Sequence, residues 1–264
     1  MEEIPGSQTM QILKDRLVGV LQSEVEGFQA EYPISRSYRA TPGQDLARYI
    51  DHTLLKQGAN RSDFVQLCRE ARAWNDWSVC VPSNRVILAV EQLAGSSVKV
   101  CTVIGFPFGY ANTEAKISET REAIAQGAQE IDMVIAVGLL KDEDWVATYR
   151  DVRAVVEIAG TVPVKVILET SELSLEEKIV GAYIACYAGA VFLKTSTGFA
   201  NGGAVIDDLH ILRTIAGDLV GVKASGGVRA VEFAHACINA GADRLGASAT
   251  GAILGKAKGA SGTY

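Results

Sequence analysis

From Leu46 onward the chain repeats one unit: a short apolar run followed by a segment of helical periodicity. The runs centre on Ile50, Val79, Val100, Asp132, Val166, Leu193, Val222 and Leu245, at spacings of about 20–35 residues. Runs apolar at successive positions suit strands buried on both faces, as in a parallel sheet covered by helices. The intervening helical segments span about 61–73, 84–94, 113–127, 142–159, 175–189, 203–217 and 228–240, with a last one after Ser248. Ser174-Leu175-Glu176-Glu177 fits a capping box, in which serine and glutamate satisfy opposite free amides of the first turn. Gly127, Gly160, Gly189 and Gly241 stand where helices should stop. Eight strand–helix units in 264 residues predict an α/β fold, the (β/α)8 TIM barrel, typically ~250 residues long. The competing doubly wound sheet is usually marked by G-x-G-x-x-G after its first strand, and that motif is missing.

Ahead of the repeat, Met10, Leu13, Leu17, Leu21 and Val25 fall at helical spacing within a segment from about Ser7 to Ala30. They predict an extra N-terminal amphipathic helix that serves packing or oligomer contact. Tyr32-Pro33 and Thr41-Pro42-Gly43 then read as linker and turn. The expected organisation is an extension and linker over 1–43, a barrel over 44–250, and a helix end with a flexible tail over 251–264.

A net charge of -6 argues against a nucleic-acid groove or an anionic membrane as partner. No apolar run approaches the roughly 18 residues of a membrane span. Met1-Glu2-Glu3 lacks the basic-then-apolar order of a secretory signal. Cys68, Cys80, Cys101, Cys186 and Cys237 are spread singly among apolar neighbours, as expected of reduced thiols in the cytoplasm. His52, His210 and His235 are scattered too, so metal-ligand spacing is absent and no metal or other cofactor is expected.

Two lysines and an acid stand inside three of the apolar runs. Lys194 lies in Ala190-Val191-Phe192-Leu193-Lys194, Lys223 in Val220-Gly221-Val222-Lys223, and Asp132 in Glu130-Ile131-Asp132-Met133-Val134-Ile135. Lysine is almost never fully buried unless paired or functional. In a barrel such residues, from strands 4, 6 and 7, converge at the C-terminal mouth, with Lys165 on strand 5. The two-residue period puts Lys194 on a face with Phe192 and Ser196, and Lys223 with Gly221 and Ser225. The small Gly and Ser partners are expected to leave room for a substrate. A lysine attacks a carbonyl only as the neutral amine, and burial beside a second cation favours that form. Bringing a lysine from about 10.4 to near 7 takes roughly 4–5 kcal/mol. Asp132 can then move protons. The competing reading is a structural ion pair. Ser225-Gly226-Gly227 and Gly246-Ala247-Ser248 end strands 7 and 8 just before helices, where backbone amides suit a phosphate.

Five segments together resemble the deoxyribose-phosphate aldolase family: Tyr49-Ile50-Asp51-His52-Thr53-Leu54-Leu55, Val100-Cys101-Thr102-Val103-Ile104-Gly105-Phe106-Pro107, Glu130 to Ile135, Lys194-Thr195-Ser196-Thr197-Gly198-Phe199, and Val222 to Arg229. The resemblance runs from about Leu46 to Ser248. It implies a metal-independent class I aldolase that reversibly cleaves 2-deoxy-D-ribose 5-phosphate to glyceraldehyde 3-phosphate and acetaldehyde. It puts the Schiff-base lysine on Lys194, the second lysine on Lys223 and the acid on Asp132. Asp51 and Thr53 match residues lining the family's site, and Cys80 is counted with them. Thr197, Gly226, Gly227 and Ser248 match phosphate contacts. Some relatives end in a tyrosine that aids proton transfer at the donor methyl carbon, which makes Tyr264 a further catalytic candidate. A homo-oligomer, dimer or tetramer, is expected. Ala136, Ala249 and Pro82-Ser83 depart from the family pattern at the rim and the phosphate cradle. Another Schiff-base barrel, transaldolase-like, or a catalytically silent phosphate-binding barrel are the readings that compete.

Overall fold

The computed structural model describes residues 7–256, in which eight parallel strands close into a barrel in sequence order. The strands are β1 (Ile50–Thr53), β2 (Ser78–Val81), β3 (Lys99–Ile104), β4 (Glu130–Val134), β5 (Val164–Ile167), β6 (Phe192–Lys194), β7 (Gly221–Ser225) and β8 (Arg244–Ala247). The helices are α1 (Ser7–Glu24), α2 (Arg61–Trp74), α3 (Val86–Leu93), α4 (Thr113–Ala125), α5 (Val137–Lys141), α6 (Trp145–Ala159), α7 (Leu175–Tyr187), α8 (Ile206–Ala216), α9 (Val231–Asn239) and α10 (Thr250–Ile253). The main core lies between strands and helices, where Ile131, Met133, Val166, Leu193, Val222 and Leu245 are wholly buried. Both faces of each strand are covered, so the positions facing the helices had to be apolar, and the charges on the inner face answer one another. The capping box at Ser174 forms, with Ser174 Oγ accepting from the Glu177 amide and Glu177 accepting from the Ser174 amide.

Several boundaries differ from expectation. The first helix stops at Glu24 rather than near Ala30. Gly27 turns at positive φ, and Phe28 leaves the helix path to meet Tyr149 and Tyr187 edge-on. Segment 36–44 does more than link. Tyr38 N–H donates to the Leu219 carbonyl, while Arg39 Nε and the Ala40 amide both donate to Asp243 Oδ1. These bonds hold it across the N-terminal end of the barrel. Gly221 leaves no room for substrate either. The Phe192 ring fills the space a Cβ there would occupy, 2.2 Å from its nearest atom.

No helix among the described residues is long and apolar enough to cross a membrane. All five cysteines are free and buried.

Asp76, after α2, is wholly buried, and neither carboxylate oxygen has a hydrogen-bond partner among the described residues. Burial raises its pKa to about 8, against a pull from Lys256. An unfolded aspartate releases its proton near 3.9, so between about pH 4 and pH 8 the folded chain keeps a proton that the unfolded chain has lost. The stability present below pH 4 is therefore lost as pH rises through that window. Asp76→Asn is expected to raise the melting temperature at pH 8 and to leave it nearly unchanged at pH 4.5; thermal unfolding at both pH values reads the difference.

Candidate active site

Strand register brings the charged residues of six strands to one axis. Lys194 stands at the C-terminal end of β6, level with Lys223 on β7, and Asp132 on β4 is level with Lys165 on β5. Lys194 Nζ donates to Asp132 Oδ2 at 2.7 Å, and Lys223 Nζ donates to the same oxygen at 2.8 Å. Lys223 also reaches Asp51 Oδ2 on β1 at 2.5 Å. Lys165 lies 2.9 Å from Asp132 Oδ1 and 2.6 Å from Glu130 Oε2. Below them, Arg244 contacts Asp51 Oδ1 at 2.8 Å and Glu130 at 3.3 Å.

Four cations (Lys165, Lys194, Lys223, Arg244) thus face three carboxylates (Asp51, Glu130, Asp132) within contact distance. Lys116 shows what a structural pair looks like: one lysine between α4 and α6, 2.6 Å from one carboxylate, Asp151, and bonded to the Val134 carbonyl. The barrel cluster carries one positive charge too many for that. Burying an unpaired cation is costly, so the surplus falls on the most weakly held member. Lys194 has one carboxylate partner among the described residues and shares it; it is 3% exposed where Lys165 and Lys223 are sealed.

Burial works against the charge of Lys223, but Asp132 and Asp51 outweigh it and hold the ammonium well above the usual lysine range. Lys165 is held the same way by Asp132, with Glu130 and Asp51 adding to it. Asp132 is pushed up by burial but pulled far below the ordinary carboxylate range by Lys165, Lys194 and Lys223. In the resting site it is a bare anion that accepts hydrogen bonds. Cys101 Sγ donates to it at 3.1 Å. Burial and a hydrogen bond with Cys80 keep the Cys101 thiol protonated. Cys80, Cys101 and Asp132 bring donor atoms within 4.8 Å of one another, a set that two cysteines 21 residues apart, and an aspartate 31 residues further on, did not suggest. The oxygens of Asp132 are already turned to three lysine nitrogens, two of them held as ammoniums, an arrangement that repels a dication.

Around this centre the remaining candidates form a rim. Thr53 is buried and donates to the Asp51 carbonyl. Ser248 follows β8 and shares with Thr53 and His52 a cleft of about 360 Å³. Thr197 is committed locally: its hydroxyl and amide both donate to Glu169, whose pKa burial raises. Gly226 and Gly227 have φ of 81° and 78°, and a Cβ on Gly226 would come within 2.9 Å of Gly203 Cα. Beside Gly226, the buried Ser196 Oγ has no hydrogen-bond partner among the described residues. The helix after the glycines starts at Val231, three residues later than expected, and α10 is one turn long. An anion here would rest on loop amides and hydroxyls more than on helix dipoles. Tyr264 lies outside the described residues.

Lys165, placed at the mouth by its strand, joins the cluster, and Glu130 and Arg244, to which residue patterns give no role, complete it. The two-residue period was the available signal, since Glu130 shares a face with Asp132, and Arg244 with Gly246. Gly246 in turn is small for the lysine: a Cβ there would sit 3.2 Å from Lys223 Cε.

The family model of the DeoC/LacD family aldolases matches residues 46–259. A deoxyribose-phosphate aldolase of Clostridium perfringens is 51% identical over 211 residues, 80% of this chain and 94% of the relative. One from Bacillus cytotoxicus is 50% identical over 222 residues, 83% of this chain and all of the relative. Among solved structures, the tetrameric deoxyribose phosphate aldolase from Aeropyrum pernix superposes with a TM-score of 0.75 at 30% identity, covering 95% of this chain and 97% of its own.

Proposed function

The chain belongs to the DeoC/LacD family of aldolases, and from that premise we propose that it reversibly cleaves 2-deoxy-D-ribose 5-phosphate to D-glyceraldehyde 3-phosphate and acetaldehyde through a Schiff base on Lys194. The observation that carries the reading is the surplus cation: four positive groups on three carboxylates, with Lys194 the least held. As the free amine, Lys194 adds to the substrate aldehyde. Uptake of a proton and loss of water leave a cationic imine on the Lys194 nitrogen, beside the Asp132 carboxylate. With the 3-hydroxyl deprotonated, the bond between C2 and C3 breaks. Its electron pair flows into the imine to give an enamine, and glyceraldehyde 3-phosphate leaves. Protonation of the enamine carbon and hydrolysis then release acetaldehyde and Lys194.

Asp132 and Lys223 are the groups within reach of Lys194 Nζ for these transfers. Asp132 is basic only while neighbouring positive charge is low, as it is around the uncharged amine and carbinolamine and not around the cationic imine. Asp51 holds Lys223 as its ammonium. Thr53 and Cys80 border the substrate, and Gly226, Gly227 and Ser248 receive its phosphate, with Thr197 joining them when its donors turn from Glu169.

Purified protein is expected to cleave deoxyribose 5-phosphate at an undiminished rate with EDTA present. Gly227→Asp places a carboxylate at the proposed phosphate position, where a Cβ meets nothing within 4 Å. It is expected to raise KM for deoxyribose 5-phosphate far more than for deoxyribose. Gly227→Ala serves as control for strain at φ 78°. Equal effects of the aspartate on both substrates would move the phosphate elsewhere.

For Tyr264 we propose a proton relay at the acetaldehyde methyl carbon. Tyr264→Phe should slow deuterium exchange into acetaldehyde while borohydride trapping on Lys194 persists; exchange at the wild-type rate removes the role. We further place the protein in the cytoplasm as a homo-oligomer, dimer or tetramer. The solved relative's tetramer and the exposed Ile12 on α1 support the assembly, and light scattering reads it.

A further inference from the structure

The end of the barrel opposite Lys194 holds a cavity of about 500 Å³, closed on one side by segment 36–44. It lies at the starts of the strands, its wall including Trp77, Lys99, Glu130 and Arg244, and nothing in the aldol chemistry uses it. Its charges are unbalanced. Arg39 is answered by Asp243, but Arg36, Arg48 and Lys99 have no carboxylate within ion-pair distance among the described residues. Arg36 stacks on Tyr38, and Arg48 lies over Trp77 while donating to the Asn75 and Asp76 carbonyls. Arg244 is 5% exposed, its guanidinium against the rings of Trp77 and Phe192, and its Nε–H has no hydrogen-bond partner among the described residues.

We infer that this cavity is a second ligand site, for a compact polyanion of the phosphate or pyrophosphate type. A concave, low-dielectric wall concentrates the field of its cations, here in a protein of net charge -6. Guanidinium groups suit phosphoryl oxygens through paired N–H donors. The volume is that of a small-metabolite pocket. Trp77 meets Arg48 and Arg244 with its ring, so a charged group, not a stacked base, is what the site is built to take. The site does not depend on which sugar the mouth cleaves.

Isothermal titration with pyrophosphate at low ionic strength tests it, with citrate as the carboxylate arm. Pyrophosphate can also occupy the phosphate position at the mouth, so two variants separate the ends of the barrel. Arg36→Gln with Lys99→Gln alters side chains that carry no hydrogen bond in the fold, and aldol activity should be unchanged. This pair should weaken pyrophosphate at least about tenfold, whereas Gly227→Asp should leave one binding event of wild-type affinity. Tighter binding of citrate than of pyrophosphate would overturn the phosphate-type assignment. The site itself is overturned by equal affinity in the Arg36/Lys99 variant, by loss of all binding in Gly227→Asp, or by no wild-type binding at millimolar pyrophosphate.

Discussion

Lys194→Met is expected to lower carbon–carbon cleavage by at least about 10⁴-fold, because a covalent nucleophile has no substitute in the site. Labelling with acetaldehyde and borohydride, located by mass spectrometry after digestion, should vanish with it. The fold should not suffer. Without Lys194 the cluster is three cations (Lys165, Lys223, Arg244) on three carboxylates (Asp51, Glu130, Asp132), so the variant buries a balanced set where the wild type buries a surplus. Its melting temperature should equal or exceed that of the wild type. The opposite pattern, a destabilised variant that keeps its activity or a wild-type label found on Lys223 or Lys165, would return Lys194 to the role of ion-pair partner.

How much of this was readable beforehand depends on the range of the contact involved. The barrel was legible because burial on both faces forces eight apolar runs, and nothing local contradicts them. Lys194, Lys223 and Asp132 were legible for the same reason: a charge inside an apolar run has to be answered by something. Glu130 and Arg244 open their strands and border polar loops, so they looked like ordinary strand ends. Only closure of the barrel turns them inward to Lys165 and Asp51. Segment 36–44 shows the limit most plainly. Its Pro and Gly punctuation reads as linker, while its role as a cover comes from bonds to Asp243, some 200 residues away. The expectation of space over Gly221 failed likewise, since the glycine is small to admit Phe192 from the neighbouring strand. Thr197 could be matched as a phosphate contact, but its bond to Glu169, held at φ 58°, has no local signature.

Asp132→Asn and Lys223→Leu test the two groups beside the nucleophile, and each is expected to cost at least about 100-fold in rate. They should part on stability. Asparagine at 132 leaves four cations on two carboxylates, and breaking a buried charge cluster in this way costs on the order of 3–5 kcal/mol. The folded pKa of Asp132 lies far below the unfolded value, so its contribution is present above about pH 4 and is lost as pH falls through the depressed folded value. The gap in melting temperature between wild type and Asp132→Asn should therefore be wide at pH 7 and begin to close below pH 4. Leucine at 223 instead removes the surplus charge, leaving Arg244, Lys165 and Lys194 on Asp51, Glu130 and Asp132. Lys194 then becomes a required counter-ion of Asp132 and is no longer spare for attack on a carbonyl. Activity lost by Lys223→Leu should consequently be matched by lost borohydride trapping of acetaldehyde on Lys194. Trapping at the wild-type rate in a variant that no longer cleaves would show that Lys223 acts by direct proton transfer and not by setting the charge of its neighbour.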